Sequence, residues 1–310
     1  MKRGCWLDLF RIQGNKVSSL ARVAPKLECE IQRLLEANLD TVFGLRFLGS
    51  EYSTGERRAG RIDTLALDEN GTPTILEYKL SSSANVITQA LYYLDWLVDH
   101  RGEFELLVHK RLGPEVRVDW SAPRVLCVAE SFALYDTYAV SQMGRAIELI
   151  QYKLFAGGLL LVSVVGTGRQ EAGTRGDGQV LPPSVDGHLG RAKEPMREIA
   201  MELRQYLLDL GEDVSEGAVR GYIAYRTTRN FCCLEIHQEH LFLDLTLDPA
   251  LGEGCPICQD VSNIGHFGTG DLRVKVTRAA DVAIAKPFID LAYQRVSGLN
   301  PIDGTGPGAD

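Results

Sequence analysis

Residues 60–80 read GRIDTLALDENGTPTILEYKL, and the fold of the N-terminal half turns on them. Two β-like runs, RIDTLALD and PTILEYKL, flank Glu69, Asn70 and Gly71, and an Asn-Gly between such runs signals a hairpin. Because side chains alternate along a strand, Glu77 and Lys79 share one face with Ile75, while Leu76, Tyr78 and Leu80 take the other. The register decides where Asp63 falls. A two-residue Asn-Gly turn would set Asp63 against Tyr78 and leave Glu77 on the opposite face. A three- or five-residue loop centred on Asn70 sets Asp63 directly opposite Glu77, with Cβ atoms about 4.5–5.5 Å apart. Opposed carboxylates repel, so this second register is unfavourable alone and relieved by a bound cation.

Working outward, LECEIQRLLEANLD (27–40) carries Leu27, Ile31, Leu34, Leu35 and Asn38 at helical spacing and predicts an amphipathic helix. After the hairpin, Asn85–Asp99 returns to helical period, with Val86, Ala90, Leu94 and Leu97 in one stripe. Gln89 and Tyr93, four residues apart, fall on the face of Asn85 and Trp96, away from that stripe. FELLVHKRL (104–112) and RVLCVAES (124–131) read as strands, 136–154 as a helix and LLLVSVV (159–165) as a strand. This order predicts a mixed α/β arrangement with helices packed on a sheet.

At Gly166 the apolar periodicity gives way to Gly, Pro and polar residues, so 166–193 is expected to be a flexible linker between a first domain at 1–165 and a second at 194–298. The second domain opens on a helix near 194–210. It continues with the strand-like runs GYIAYRT, FCCLEIH, HLFLDLTL and DLRVKVT, and closes on a helix at 281–296, a smaller α+β arrangement. Residues 299–310 have almost nothing to bury and read as a disordered tail.

The 310 residues exceed the usual size of one core, and 45% hydrophobic with 24% charged residues is an ordinary globular composition, so two soluble domains are expected. No apolar run is long enough to span a bilayer and the start lacks a signal-peptide pattern, which predicts a cytoplasmic protein with no membrane partner. Seven cysteines, an odd number in a long chain, read as reduced thiols. A net charge of −8 argues mildly against nucleic acid. Local basic clusters oppose that argument: Lys2, Arg3, Arg11, Lys16, Arg22 and Lys26 near the start, and Arg57, Arg58 and Arg61 beside the hairpin.

Metal-assisted phosphodiester cleavage needs hard carboxylate oxygens for a divalent cation and a positive group near the attacking water or scissile phosphate. Asp63, Glu77 and Lys79 supply both. Glu36 on the first helix is a candidate to complete a metal shell, and Gln89 and Tyr93 to position a water or phosphate. The competing reading is a salt-bridge ladder across a hairpin.

GRIDTLALDENGTPTILEYKL followed by VITQALYYLDWL resembles the PD-(D/E)xK nuclease superfamily, most closely its RecB-like branch with the archaeal and actinobacterial mismatch and flap endonucleases, over about Leu27–Lys110. The resemblance implies a restriction-endonuclease-like mixed sheet flanked by helices. It further implies Mg²⁺, with Mn²⁺ as a substitute, held by Asp63 and Glu77, with the Tyr78 carbonyl and Glu36 as further ligands. Lys79 would orient or activate the water, and Gln89 and Tyr93 would complete the motif. The expected activity is endonuclease cleavage of nucleic acid, DNA first, in repair or defence, and cutting both strands of a duplex would favour a homodimer. The clamp-binding tail and N-terminal dimerisation domain of the archaeal mismatch enzymes are not evident, so mismatch specificity is not carried over. A non-catalytic nucleic-acid- or protein-binding module on the same fold is the alternative. The C-terminal half is similar to a domain of unknown function that accompanies such nucleases.

Cys255 and Cys258 form a C-x-x-C that would suit zinc if His237 and His240 supplied the second pair, with free loop thiols the alternative. IGHFGTGD (264–271) lacks the Lys-Ser/Thr of a phosphate-binding loop and precedes a strand, so it reads as a turn, with His266 a structural hydrogen-bonder. No Gly-x-Ser-x-Gly elbow or Cys/His pair points to a covalent nucleophile.

Overall fold

A computed structural model describes residues 8–55, 60–80, 85–168, 183–264 and 268–298. The chain begins with a two-stranded hairpin, β1 (Phe10–Gln13) and β2 (Lys16–Ser19), and a short strand β3 (Arg22–Val23). α1 (Glu28–Glu36) and α2 (Leu39–Phe43) follow, split at Ala37–Asn38 where one continuous helix was expected, and Gly44 at φ 63° ends the second. Three strands come next, β4 (Leu45–Ser53), β5 (Arg61–Asp68) and β6 (Pro73–Lys79), the first of them unrecognised in the sequence. α3 (Val86–Asp99), α4 (Arg101–Leu112), β7 (Arg124–Ala129), α5 (Leu134–Ser141), β8 (Ala146–Phe155) and β9 (Leu159–Thr167) complete this half.

Two sequence expectations are corrected here. FELLVHKRL belongs to α4 because Phe104 and Val108, one helical turn apart, are the residues it buries. The expected helix over 136–154 stops at Ser141, and Ala146–Phe155 becomes β8, paired parallel to β7 through Arg124↔Ala146 to Ala129↔Gln151. An apolar run cannot be assigned by period alone when both faces are buried, as they are for every residue of β7.

The seven strands form one mixed sheet ordered β3-β8-β7-β6-β5-β4, with β9 beside β8. β6, β7 and β8 are parallel, and the flanking pairs are antiparallel. α1 and α2 cover one face through Ile31, Leu35, Leu39 and Phe43 over Leu76, Tyr78, Leu126 and Val128. α3, α4 and α5 cover the other through Ala90, Leu94, Phe104 and Val140 over Ile75, Val125 and Cys127. This is the mixed sheet flanked by helices that the sequence predicts.

The C-terminal half contains α6 (Val185–Leu189), α7 (Met196–Leu208), β10 (Ser215–Ala218), β11 (Ile223–Arg226), β12 (Asn230–Ile236), β13 (Leu241–Leu245), β14 (Cys258–Asp260), β15 (Leu272–Val276) and α8 (Ala279–Ser297). Its antiparallel sheet, ordered β10-β11-β12-β13-β15-β14, packs one face on α7 and α8 through residues such as Leu203, Leu234, Leu243 and Ile289. Of the expected linker, 169–182 lie outside the described residues; on either side β9 runs to Thr167 and α6 places His188 in the interior. The expected tail at 299–310, the basic Lys2, Arg3, Arg57 and Arg58, and His266 also lie outside them. No helix among the described residues is long and apolar enough to cross a membrane.

The expectation that the cysteines are free thiols is wrong for Cys255 and Cys258. Their Cα atoms stand 5.3 Å apart and their sulfurs are joined in a disulfide, which also removes the zinc reading. His237 instead donates its Nε2–H to Glu235 Oε1 at 2.8 Å and stacks on His240. Cys29, Cys127, Cys232 and Cys233 are free.

Candidate active site

The β5–β6 hairpin closes with the odd loop. The pairs Thr64↔Leu76, Leu65↔Ile75, Ala66↔Thr74 and Leu67↔Pro73 are symmetric about Asn70, and the Asp68 N–H donates to the Thr72 carbonyl at 3.0 Å. Asp68 Oδ1 accepts the N–H groups of Asn70 (2.8 Å) and Thr72 (2.7 Å), and Gly71 takes φ 77°, the left-handed step that a three-residue hairpin loop requires.

Pairing stops at Thr64↔Leu76, and the next step holds the candidate carboxylates. Had the ladder continued, the Tyr78 N–H would face the carbonyl of Ile62. Instead it donates to Asp63 Oδ2 at 2.9 Å, so a side chain completes the backbone bond where the strands part. The Asp63 N–H donates to Glu77 Oε1 at a long 3.4 Å, while Glu77 Oε2 is buried without a partner. Glu77 is fully buried, and burial first, then the Asp63 charge, pushes its carboxyl up to about 9. Burial also raises Asp63 against the opposing pull of the Tyr78 N–H and Lys79.

Lys79 lies near enough to act electrostatically on both carboxylates, yet its ammonium sits 3.3 Å from Glu28 Oε2 on α1. Glu36 is occupied elsewhere: its Oε1 accepts from Thr64 Oγ1 at 2.5 Å and from Gln32 Nε2 at 3.1 Å. Among the described residues no three His, Cys, Asp or Glu side chains are grouped to hold a metal, so Glu36 does not complete a shell in this arrangement. Gln89 Nε2 donates to Tyr93 Oη at 3.3 Å, and Tyr93 Oη accepts the Arg61 N–H at 3.2 Å, two residues before Asp63. Tyr93 and Trp96 are buried in the core under the sheet, so the polar face expected for that side of α3 is corrected: it buries them too.

Three neighbours escaped the sequence reading. Glu28 and Gln32 stand two turns and one turn before Glu36 on α1, and Gln32 Nε2 also donates to the Asp63 carbonyl at 3.0 Å. The period-four spacing Glu28, Gln32, Glu36 was the available signal. Glu51 of β4 is level with Asp63 by register, since Ser50 pairs Thr64 and Tyr52 pairs Ile62; it takes φ 52° and ion-pairs with Arg61. It went unseen because β4 itself did.

A domain of unknown function, DUF5655, matches residues 185–295. An uncharacterised protein of Haemophilus influenzae is 26% identical over 286 residues, covering 87% of this chain and 94% of that protein. Among solved structures, a repair endonuclease from Pyrococcus abyssi aligns over 42% of this chain and 50% of its own at 18% identity and TM-score 0.28. A complex of EndoMS with double-stranded DNA aligns over 47% and 64% at 16% identity and TM-score 0.25. The chain thus spans about half of the first structure and under two thirds of the second.

Proposed function

We propose that the N-terminal half is a metal-dependent nuclease that hydrolyses phosphodiester bonds of nucleic acid, with DNA the expected substrate and repair or defence the setting. The carrying observation is the buried, unpartnered Glu77 Oε2 beside the Asp63 carboxylate. An orphaned buried acceptor costs about 1–3 kcal/mol, more when charged, and a divalent cation is the ligand that turns this cost into binding.

Asp63, Glu77 and the Tyr78 carbonyl are the groups that would hold Mg²⁺ or Mn²⁺, with Glu36 joining only after leaving Thr64 and Gln32. When bound, the cation lowers the pKa of water and stabilises negative charge on phosphate. The chain's own residues do the rest. Tyr78 N–H fixes the Asp63 carboxylate; Lys79 supplies a positive group beside the carboxylates for water or phosphate once Glu28 yields it; Tyr93, steadied by Gln89, anchors the backbone leading into Asp63. A homodimer would serve a cut through both strands of a duplex.

The second reading, a non-catalytic binding module, is favoured by the engagement of Glu36 and Lys79 with other partners. Cleavage of labelled single-stranded, duplex and flap DNA with Mg²⁺, Mn²⁺ or EDTA separates the two. Metal-dependent cutting that disappears in Asp63→Ala and Lys79→Ala supports the nuclease. No cutting, together with no Asp63-dependent Mn²⁺ binding by calorimetry, supports the module.

A further inference from the structure

β6, β7 and β8 run parallel, so their C-terminal ends lie along one edge of the sheet, with Lys79, Ala129 and Gln151 paired in line. Alternation puts Glu77, Lys79, Gln151 and Lys153 on the face of Ile75, Cys127 and Leu149. β8 continues to Phe155, which pairs with Arg22 of β3, so the first strands of the chain meet the sheet at this same edge. Every residue of the β1–β2 hairpin is exposed. Arg11 and Lys16 share one of its faces, since Gln13, two residues beyond Arg11, pairs with Lys16. A Cβ on Gly157, in the turn between β8 and β9, would lie 3.1 Å from Arg11 Nη2, which sets that guanidinium beside the end of β8.

Lys79, Lys153, Arg11 and Lys16 thus form a line of cations leading away from the carboxylates along the edge. Strand spacing of about 4.8 Å and a rise of about 3.3 Å per residue put Lys153 about 12 Å from Lys79, the axial rise of about three to four nucleotides of a duplex strand. Lys79 is paired with Glu28 and Arg22 with Asp8, but Arg11, Lys16 and Lys153 have no ion pair among the described residues. Lys153 is 8% exposed, and an ammonium with so little water and no counter-ion is stabilised by an anion. The carboxylates near the line are engaged or turned away. Asp136 caps α5 by accepting the Ala133 N–H at 2.8 Å, and Glu30 accepts the Lys26 N–H at 2.8 Å. Glu130 alternates to the opposite face, where its charge acts on Tyr152. In a chain of net charge −8, a line of uncompensated cations is complementary to a polyanion. A two-stranded hairpin is marginally stable alone, so this one gains from a partner laid against it.

We propose that Lys153, Arg11 and Lys16 bind the sugar-phosphate backbone of a nucleic acid strand that continues from the Asp63–Glu77 site along this edge. The proposal rests on the nuclease reading for the course of the strand and adds the surface that holds it. Contacts of this kind touch phosphate rather than bases, so they carry no sequence preference.

The test is fluorescence-anisotropy binding of labelled duplex and single-stranded oligonucleotides, in two unrelated sequences, to the full chain in EDTA at a series of salt concentrations. The variants are Arg11→Gln/Lys16→Gln, the same pair with Lys153→Gln added, and Arg295→Gln on α8, an exposed control of the same chemistry. The slope of log affinity against log salt should shrink by about 0.9 for each contact removed on duplex, or about 0.7 on single strand, hence by about 2–3 in the triple variant. Both sequences should respond equally, and Arg295→Gln should keep the parent slope. If Lys153→Gln lowers the thermal midpoint, the double variant in the exposed hairpin carries the test. Absence of salt-dependent binding, an unchanged slope in the double variant, or an equal loss in Arg295→Gln overturns the proposal. Displacement by poly-glutamate at matched charge also overturns it and assigns the line to an acidic polypeptide. Cleavage in Mg²⁺ separates this proposal from the nuclease reading. Asp63-dependent cutting with an unaltered slope defeats the line and leaves the nuclease, whereas a reduced slope without cutting defeats the nuclease and leaves a binding surface.

Discussion

Tyr78 donates its backbone N–H to Asp63 Oδ2 at 2.9 Å at the point where β5 and β6 cease to pair. One acidic side chain therefore both finishes a strand ladder and stands beside a buried glutamate. Its charge and its acceptor can be removed separately. Asp63→Asn keeps an oxygen for Tyr78 and should stay near the parent thermal midpoint, whereas Asp63→Ala strands that N–H and should unfold earlier. Both should lose metal-dependent cleavage by at least the roughly 10–100-fold that loss of an outer-shell partner costs. Cleavage retained in Asp63→Asn would remove Asp63 from the site.

Divalent-ion binding should strengthen as pH rises towards 9. The Glu77 carboxyl, pushed up to about 9, holds a proton at neutral pH that a bound cation must displace. Calorimetric titration with Mn²⁺ in buffers of different ionisation enthalpy reads that proton, and an affinity independent of both pH and buffer would refute this.

The same shift sets a stability slope. Because the folded-state value lies above the unfolded one, 4.5 raised to about 9, the folded state binds more protons between them, and the metal-free protein loses stability as pH rises through this window. Glu77→Gln should flatten that part of the slope and raise the midpoint at mildly alkaline pH, by about 2–4 °C for each kcal/mol recovered. Thermal scans across the window in EDTA measure it; a variant that keeps the full slope counts against the shift.

Gly71→Ala tests the loop. At φ 77° a side chain is strained, and a Cβ would meet the Arg117 carbonyl oxygen at 2.8 Å. A loss of about 1–3 kcal/mol is expected in urea unfolding, with cleavage falling as the register slackens.

Asn230→Ala tests the grip of the C-terminal half on the hairpin tip. Asn230 donates from its backbone N–H to Glu69 Oε2 at 2.7 Å and from Nδ2 to Asn70 Oδ1 at 2.7 Å, where Tyr222 Oη also donates. Removing the amide should cost about 1–3 kcal/mol in urea unfolding; an unchanged midpoint would show that the tip is held by other contacts.

Much of the hairpin was legible because its logic is local. Asp63 and Glu77 are equidistant from Asn70, so requiring both carboxylates on one face demanded an odd loop, and Gly71 can take the left-handed step such a loop needs. The alternation that pairs Glu77 with Ile75 and Tyr78 with Leu76 is likewise a property of any strand. The strand at 104–112 and the helix at 136–154 failed for the opposite reason. Phe104 and Val108 suit a helix and Ile147 to Phe155 a strand only because of the surfaces that await them, and a short apolar run does not encode which one it will meet.

By itself, then, the sequence determined the shared face of Glu77 and Lys79 and the α/β layering, since backbone period acts within a few residues, and it left the hairpin two registers, between which the structure decides for the odd loop. Only the tertiary structure decided that Glu36 bonds to Thr64, that Lys79 turns to Glu28, that Glu51 stands level with Asp63, and that Arg11 reaches the turn between β8 and β9. Those contacts join residues remote in the chain, and their partners are chosen by packing and charge balance among whole sheets and helices.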